Sequence, residues 1–239
     1  EVIYLIHSHI HNSYTGKISF SPGISNKRYG WIWDPETGER NRIYPDKDYS
    51  FDVDLGPAAS LLFIFDKNRN GEPWKSLPVK LPAARELETG WSAEFIHCRD
   101  GSSGLVNIDV LKDLKDMPGR TEFAGSVVYR NTITIDEPGK DYLNLGKVYG
   151  LSELRINGKI CGVKWYGRRI FEIREFLKPG KNEIEIKLIT SMGNYMKSLT
   201  DNRIAQYWTN EKTKVQPIQS MGPPLSHICL AWAMPGGLP

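Results

Sequence analysis

Apolar and charged residues alternate through Ile184-Glu185-Ile186-Lys187-Leu188. A period of two predicts a strand with one buried face and one wet face. Upstream, Leu154-Arg155-Ile156 and Ile160-Cys161-Gly162-Val163 flank Asn157-Gly158. An Asn-Gly pair supplies two residues that accept positive φ, which a type I′ hairpin requires. Pro179-Gly180 then separates Phe171–Leu177 from the alternating run. The stretch Tyr142–Lys187 therefore reads as strand, short break, strand, turn, strand, turn, strand.

The first 80 residues carry shorter β-like runs: Val2–His9, Lys17–Phe20, Arg28–Trp33, Ser50–Val53 and Ser60–Phe65. Turns are expected at Pro22-Gly23, Asp34–Gly38 and Asp66–Gly71. The continuously apolar Leu61-Leu62-Phe63-Ile64-Phe65 predicts a strand covered on both faces. Glu72–Pro82 holds Pro73, Pro78 and Pro82 with few strand signals, and reads as a linker. The division is a first domain over 1–80 and a second over 81–239, with the second domain's elements running from about Leu87 to Met221. Trp91–Cys98 and Leu105–Asp109 are its first strands, and Gly125–Ile135 is a long one. Asp113–Gly119 reads as a loop or short helical turn. No amphipathic helix of three turns is visible, except at Ile170–Leu177, where a strand reading competes.

Seven phrases follow one another in the second half: FAGSVVYRNTI, LGKVYGLSELRINGK, GVKWYGRR, LKPGKNEIEIK, SMGNYMKSLTDN, AQYWT and QPIQSMG. In this order they resemble the sugar-binding jelly-roll domain of glycoside hydrolase family 2. The closest resemblance is to the copy near the C-terminus of α-L-rhamnosidase-like enzymes of glycoside hydrolase family 106. WIWDPETGER and DVDLGPAASLLFIFDK resemble the small β-domain that follows the barrel in the same enzymes. The resemblance spans about Val2 to Met221. It ends at PPLSHICLAWAMPGGLP, which reads as a frameshifted end or an unusual ordered cap. It implies an all-β chain of two β-sandwich domains, the second a galactose-binding-like jelly roll. The first would be incomplete, needing strands from before Glu1. The catalytic barrel of such enzymes is absent here, so the chain is expected to be a piece of a longer bacterial enzyme, periplasmic or secreted.

Composition narrows the function classes. Hydrophobic residues at 40% and charged residues at 25% suit a folded globular chain. A net charge of +3 is too weak to predict a nucleic-acid partner. No apolar run approaches the roughly 18 residues of a membrane span. Cys98, Cys161 and Cys229 form no C-x-x-C pair and are expected mostly as buried free thiols, with a Cys98–Cys161 or Cys161–Cys229 bridge left open.

Candidate chemistry is sparse. His7, His9 and His11 alternate along an expected strand and share a face. The outer pair would lie ~13 Å apart, so the three cannot share one ion, and His97 or His227 would have to complete a site. A polar strand face explains them equally, and no metal or cofactor is assigned. Glycoside hydrolysis needs two flanking carboxylates at about 5–9 Å. Glu94, Asp109, Glu153 and Glu172 read as solvated strand positions, and none matches the family's barrel motif, so no catalytic residue is assigned. Asp34, Asp52 and Asp54 form no recognisable calcium loop. Trp31, Trp33, Trp74 and Trp91 are expected as packing residues.

The best binding candidate is Trp165-Tyr166-Gly167-Arg168-Arg169. An aromatic plate beside fork-shaped donors suits a sugar's C–H face and hydroxyl rim. Asn194-Tyr195 and Gln206-Tyr207-Trp208 repeat the composition, so the carbohydrate-binding set is Trp165, Tyr166, Arg168, Arg169, Asn194, Tyr195, Tyr207 and Trp208. The same residue types also build protein interfaces, and packing against a barrel or the first domain is the competing reading. The sequence thus predicts a non-catalytic accessory region that supports a barrel and holds plant or pectic glycan weakly. A self-sufficient hydrolase with a cleft between the sandwiches, or a purely structural module, are the alternatives.

Overall fold

The computed structural model describes residues 2–7, 12–25, 27–44, 50–74, 86–139, 142–198 and 230–231. The chain is all-β and divides into two compact units, Glu1–Lys80 and Leu81–Pro239.

The first unit contains β1 (Val2–His7), β2 (Tyr14–Ser19), the helical turn α1 (Pro22–Ser25), β3 (Tyr29–Trp33), β4 (Arg40–Arg42), β5 (Ser50–Leu55) and β6 (Ser60–Asp66). One antiparallel sheet has the order β1-β6-β3-β4, and β2 pairs with β5. Phe20, Phe63 and Phe65 meet edge to face at 4.9–5.2 Å, with Phe51 stacked on Phe20, which closes this sandwich. The apolar run of β6 is central, and Phe63, Ile64 and Phe65 are buried as the pattern requires.

Two expectations change in this unit. β4 is unannounced by periodicity because Arg40-Asn41-Arg42 has no apolar residue. It is held instead by cross-strand pairs, Trp33 with Arg40 and Trp31 with Arg42, whose guanidiniums lie 4.2 and 5.3 Å from the ring centroids. The linker begins later than expected. Glu72 O accepts from Arg42 N at 2.7 Å and Trp74 N donates to Arg42 O at 2.8 Å, so residues 72–74 extend the sheet; residues 75–82 lie outside the described set. β1 is described over Val2–His7, and Ser8, His9, His11 and the side chain of His7, on which the rest of the expected strand and its shared histidine face fall, lie outside the described residues. Trp31 is buried as expected, and Trp33 and Trp74 are half-buried.

The second unit contains β7 (Trp91–His97), β8 (Gly101–Ile108), β9 (Gly125–Ile135), β10 (Tyr142–Asn144), β11 (Lys147–Val148), β12 (Leu151–Ile156), β13 (Lys159–Lys164), β14 (Ile170–Glu172), β15 (Gly180–Ile189), α2 (Gly193–Ser198) and β16 (Leu230–Ala231). Its main sheet is antiparallel with the order β13-β12-β15-β9-β7-β8. One face buries Trp91, Val127, Tyr129, Leu154, Ile156, Ile184, Ile186 and Leu188. Against them pack Leu143 and Leu145 around β10 and Phe171 and Ile173 around β14, the second layer of a jelly-roll-type sandwich with one broad sheet. The opposite face carries a charge ladder: Arg155 pairs with Glu153 at 2.7 Å, and Arg130 pairs with Glu185 at 2.9 Å and Glu94 at 3.6 Å.

The Asn157-Gly158 turn has φ of 51° and 79°, as a type I′ hairpin needs. The Phe171–Leu177 strand is a correction: it ends at Glu172, and Arg174–Phe176 forms a single 3₁₀ turn. Cys98 and Cys161 are free, so they are not bridged to each other. Cys98 is exposed rather than buried, because it enters the tight turn after β7 where its N–H donates to Ala124 O. Cys229 lies outside the described residues. Among the described residues no helix is long and apolar enough to cross a membrane.

Candidate functional site

The Trp165–Arg169 loop joins β13 to β14. β13 stops at Lys164, whose carbonyl accepts from Ser152 Oγ at 3.0 Å. Gly167 then turns the chain with φ of 67°, a left-handed conformation that glycine adopts without penalty. Arg169 folds beneath the loop and is 4% exposed. Its Nη1 donates to Gly167 O at 3.1 Å and its Nη2 to Gly150 O at 3.0 Å, while its own carbonyl accepts from Leu145 N. Arg169 therefore staples residues 145–150 to residues 164–169. Its Nε is buried with no acceptor among the described residues, and burial pulls its pKa down from the ordinary arginine value.

Above this staple Trp165 is 60% exposed and meets Tyr166 edge to face at 4.8 Å. Arg168 is half-buried beside them. Two further cations border the loop: Lys164 Nζ lies 5.5 Å from the Phe171 ring centroid, and Lys147 Nζ lies 5.2 Å from that of Tyr149. Neither Lys147 nor Tyr149 was distinguishable as a site residue in sequence. The signal that could have found them is the same cation–aromatic alternation in Lys147-Val148-Tyr149, adjoined to the loop only through Gly150.

Asn194 and Tyr195 lie on α2. Asn194 is buried, and Tyr195 packs edge to face on His97 at 5.1 Å. Arg99 hydrogen-bonds with Tyr195, which together with Asp100 raises its pKa. His97 Nδ1 accepts from Arg99 N and Asp100 N at 3.2 and 3.4 Å. Strand register puts β13's end, β12's start, β15's end, β9's start and β7's end together, so Trp165 and Tyr195 occupy one end of the broad sheet. They are four strand spacings apart, or roughly 19 Å at ~4.8 Å per spacing. The described part of the set thus forms two stations along one rim. Tyr207 and Trp208 lie outside the described residues.

The carboxylates singled out in sequence are otherwise engaged or solvated. Glu94 accepts from Ser102 Oγ at 2.7 Å and pairs with Arg130, Glu153 pairs with Arg155, and Asp109 and Glu172 are exposed. Among the described residues no group of three or more His, Cys, Asp or Glu side chains could hold a metal ion.

No family model matches the chain. Its fold is similar to part of a rhamnosidase from Novosphingobium sp. PP1Y, with a TM-score of 0.63 and 18% identity, over 84% of this chain and 20% of that one. A β-D-glucuronidase from Dictyoglomus thermophilum aligns over 44% of this chain and 19% of its own, with a TM-score of 0.37 and 19% identity. In sequence, a putative β-glucuronidase of Formosa agariphila is 26% identical over 134 residues, 51% of this chain and 11% of that protein. The chain thus spans only a minor part of each. The rhamnosidase likeness shows that this fold occurs inside a glycoside hydrolase.

Proposed function

We propose that this chain is a non-catalytic accessory β-sandwich region of a glycoside hydrolase resembling α-L-rhamnosidases. It buttresses a catalytic barrel and holds carbohydrate weakly at the rim built on Trp165, Tyr166, Arg168 and Arg169. Asn194 and Tyr195 form the second station, and Tyr207 and Trp208 complete the set. The observation that carries this reading is an exposed tryptophan on a loop whose conformation is fixed from below by a buried arginine. A stacking plate held in place loses little entropy on binding. One stacked aromatic contributes roughly 1.5–3 kcal/mol of burial, and one arginine hydrogen bond to a hydroxyl about 1.5 kcal/mol. Immobilisation offsets part of that, so the expected Kd is about 1 mM.

The test is a titration of the chain with rhamnose- and galacturonate-containing oligosaccharides, with Trp165→Ala as control. The reading expects a saturable shift that Trp165→Ala removes without lowering Tm. A Trp165→Ala variant that melts many degrees lower, with no glycan titrating, would assign Trp165 to packing and leave only the buttress. The chain is also expected to release no sugar from aryl rhamnosides, galactosides or pectic oligosaccharides. Turnover abolished by a single Asp or Glu substitution would replace this reading with a self-sufficient hydrolase.

A further inference from the structure

We infer that Asn70 is a site of spontaneous backbone modification, converting to isoaspartate through a succinimide, and that the conversion loosens the anchor of Arg42. The inference is independent of carbohydrate binding at the rim. The chain holds two Asn-Gly steps, Asn70-Gly71 and Asn157-Gly158. The first lies between β6 and the bridge at Pro73, and both of its residues are exposed. Asn70 N–H donates to Asn68 Oδ1 at 3.4 Å, and among the described residues nothing holds its side-chain amide or the N–H of Gly71. Packing demands the glycine. A Cβ at position 71 would collide with the Trp31 ring and press on Arg42 Cγ at 3.0 Å. The residue after Asn70 therefore has no side chain to screen its nitrogen from the neighbouring amide.

The step needs only water. The Gly71 backbone nitrogen attacks Asn70 Cγ, and the new N–Cγ bond closes a five-membered ring. The side-chain nitrogen leaves as ammonia, taking up the proton that the backbone nitrogen gives up. Water then opens the ring at one of its two carbonyls. Opening at the main-chain carbonyl routes the backbone through Cβ and Cγ, which is isoaspartate; opening at Cγ gives aspartate. Either product carries a new carboxylate and releases its proton, and no electrons change hands. Asn157 is the internal control. Its Nδ2 donates to Phe176 O and Asn182 Oδ1, each at 2.9 Å, and its Oδ1 accepts from Glu183 N at 3.2 Å. Its Cγ can turn toward the Gly158 nitrogen only by breaking these bonds. Arg42 straddles the reactive step. Its Nε donates to Arg69 O at 3.0 Å and its backbone N–H to Glu72 O at 2.7 Å. Isoaspartate adds one methylene to the main chain between those two acceptors, so one of them is drawn off Arg42.

The test ages the full chain at mildly alkaline pH, once folded and once in concentrated urea, and follows both Asn-Gly peptides by mass and fragmentation. In the folded chain Asn70 is expected to convert at least about tenfold faster than Asn157, which must first release its hydrogen bonds. In urea the two rates converge, because that protection is lost. The Asn70 product separates into isoaspartate and aspartate forms, as one ring opened in two directions requires. Amide exchange at Arg42 and Trp74 is faster in the aged chain. Asn70→Gln, whose longer side chain closes a ring far less readily, ages without either change. Asn70 converting no faster than Asn157 in the folded chain would overturn the site. Aspartate formed without isoaspartate would replace the succinimide by direct hydrolysis and overturn the lengthened backbone. Full conversion with unchanged exchange at Arg42 would overturn the coupling to that anchor.

Discussion

Asn157 and Asn182 share an amide–amide hydrogen bond of 2.9 Å that ties the β12–β13 hairpin turn to the turn before β15. Asn182 is fully buried and satisfied at every position. Its Oδ1 accepts from Lys178 N and Asn157 Nδ2, and its Nδ2 donates to Lys178 O and Gly180 O. Asn157 extends the link to Phe176 O and Glu183 N. The two turns that the sequence announces separately are one polar unit.

Asn182→Ala is therefore expected to cost about 2–4 kcal/mol. Several buried backbone groups lose partners at once, and an unmade buried hydrogen bond costs more than a made one contributes. Urea unfolding of both proteins, read as a midpoint shift at constant slope, measures it. A loss under about 1 kcal/mol would mean water replaces the amide.

Gly150 gives a second, sharper contrast. Its φ is 116°, and an added Cβ would sit 2.2 Å from Ile189 O, a backbone atom that cannot step aside. Gly150→Ala is expected to cost ~2–3 kcal/mol and to disturb the rim, since Gly150 O anchors Arg169. Gly104 also has positive φ, at 75°, but an added Cβ there would meet nothing within 4 Å. Gly104→Ala should cost only ~1 kcal/mol. Thermal melts of the pair separate steric blockage from backbone preference.

Two arginines should differ in how much their neutralisation costs. Arg130 is 42% exposed within its ion-pair ladder, so Arg130→Gln should change stability by less than ~1 kcal/mol, and less still in ~0.5 M NaCl. Arg42 is buried among Tyr29, Trp31 and Tyr44 and donates to Gly30 O and Arg69 O. Arg42→Gln should cost ~2–4 kcal/mol with little salt dependence. Equal, salt-sensitive losses would refute the distinction.

Those same residues mark how far sequence reading reaches. The alternation in β15 and the Asn-Gly turn were legible because both are local: period two and positive φ need no distant partner. β4 is invisible because its two cations are held by stacking on aromatics, Arg42 buried and Arg40 exposed, rather than by being apolar. The 3₁₀ turn at Arg174–Phe176 falls where strand and helix readings compete, because the seven residues Phe171–Leu177 mix apolar and charged positions over too short a span to fix the period. At the rim, Trp165 and Arg168 stood out by composition. The stapling role of Arg169 depends on carbonyls of Gly167 and Gly150, the latter 19 residues away, and no spacing rule encodes it.

The two described thiols should differ in reactivity by an order of magnitude or more. Cys98 is exposed, whereas desolvation pushes the Cys161 thiol up to about 11, partly offset by a backbone hydrogen bond from Ile156. At pH ~8 such a thiol is roughly one part in a thousand thiolate, the reactive form. In a Cys229→Ser background, iodoacetamide at that pH should label Cys98 first, read by peptide mass. Labelling of Cys161 should accelerate about tenfold per pH unit up to its pKa. The sign for stability follows from the same shift. A thiol whose pKa is raised on folding contributes stability that is complete below its unfolded value near 9.0 and is lost as pH rises toward 11. Cys161→Ser should flatten that alkaline loss. Equal labelling rates of the two thiols would show that Cys161 is not desolvated, and that it packs less closely on the core than its half-buried position there implies.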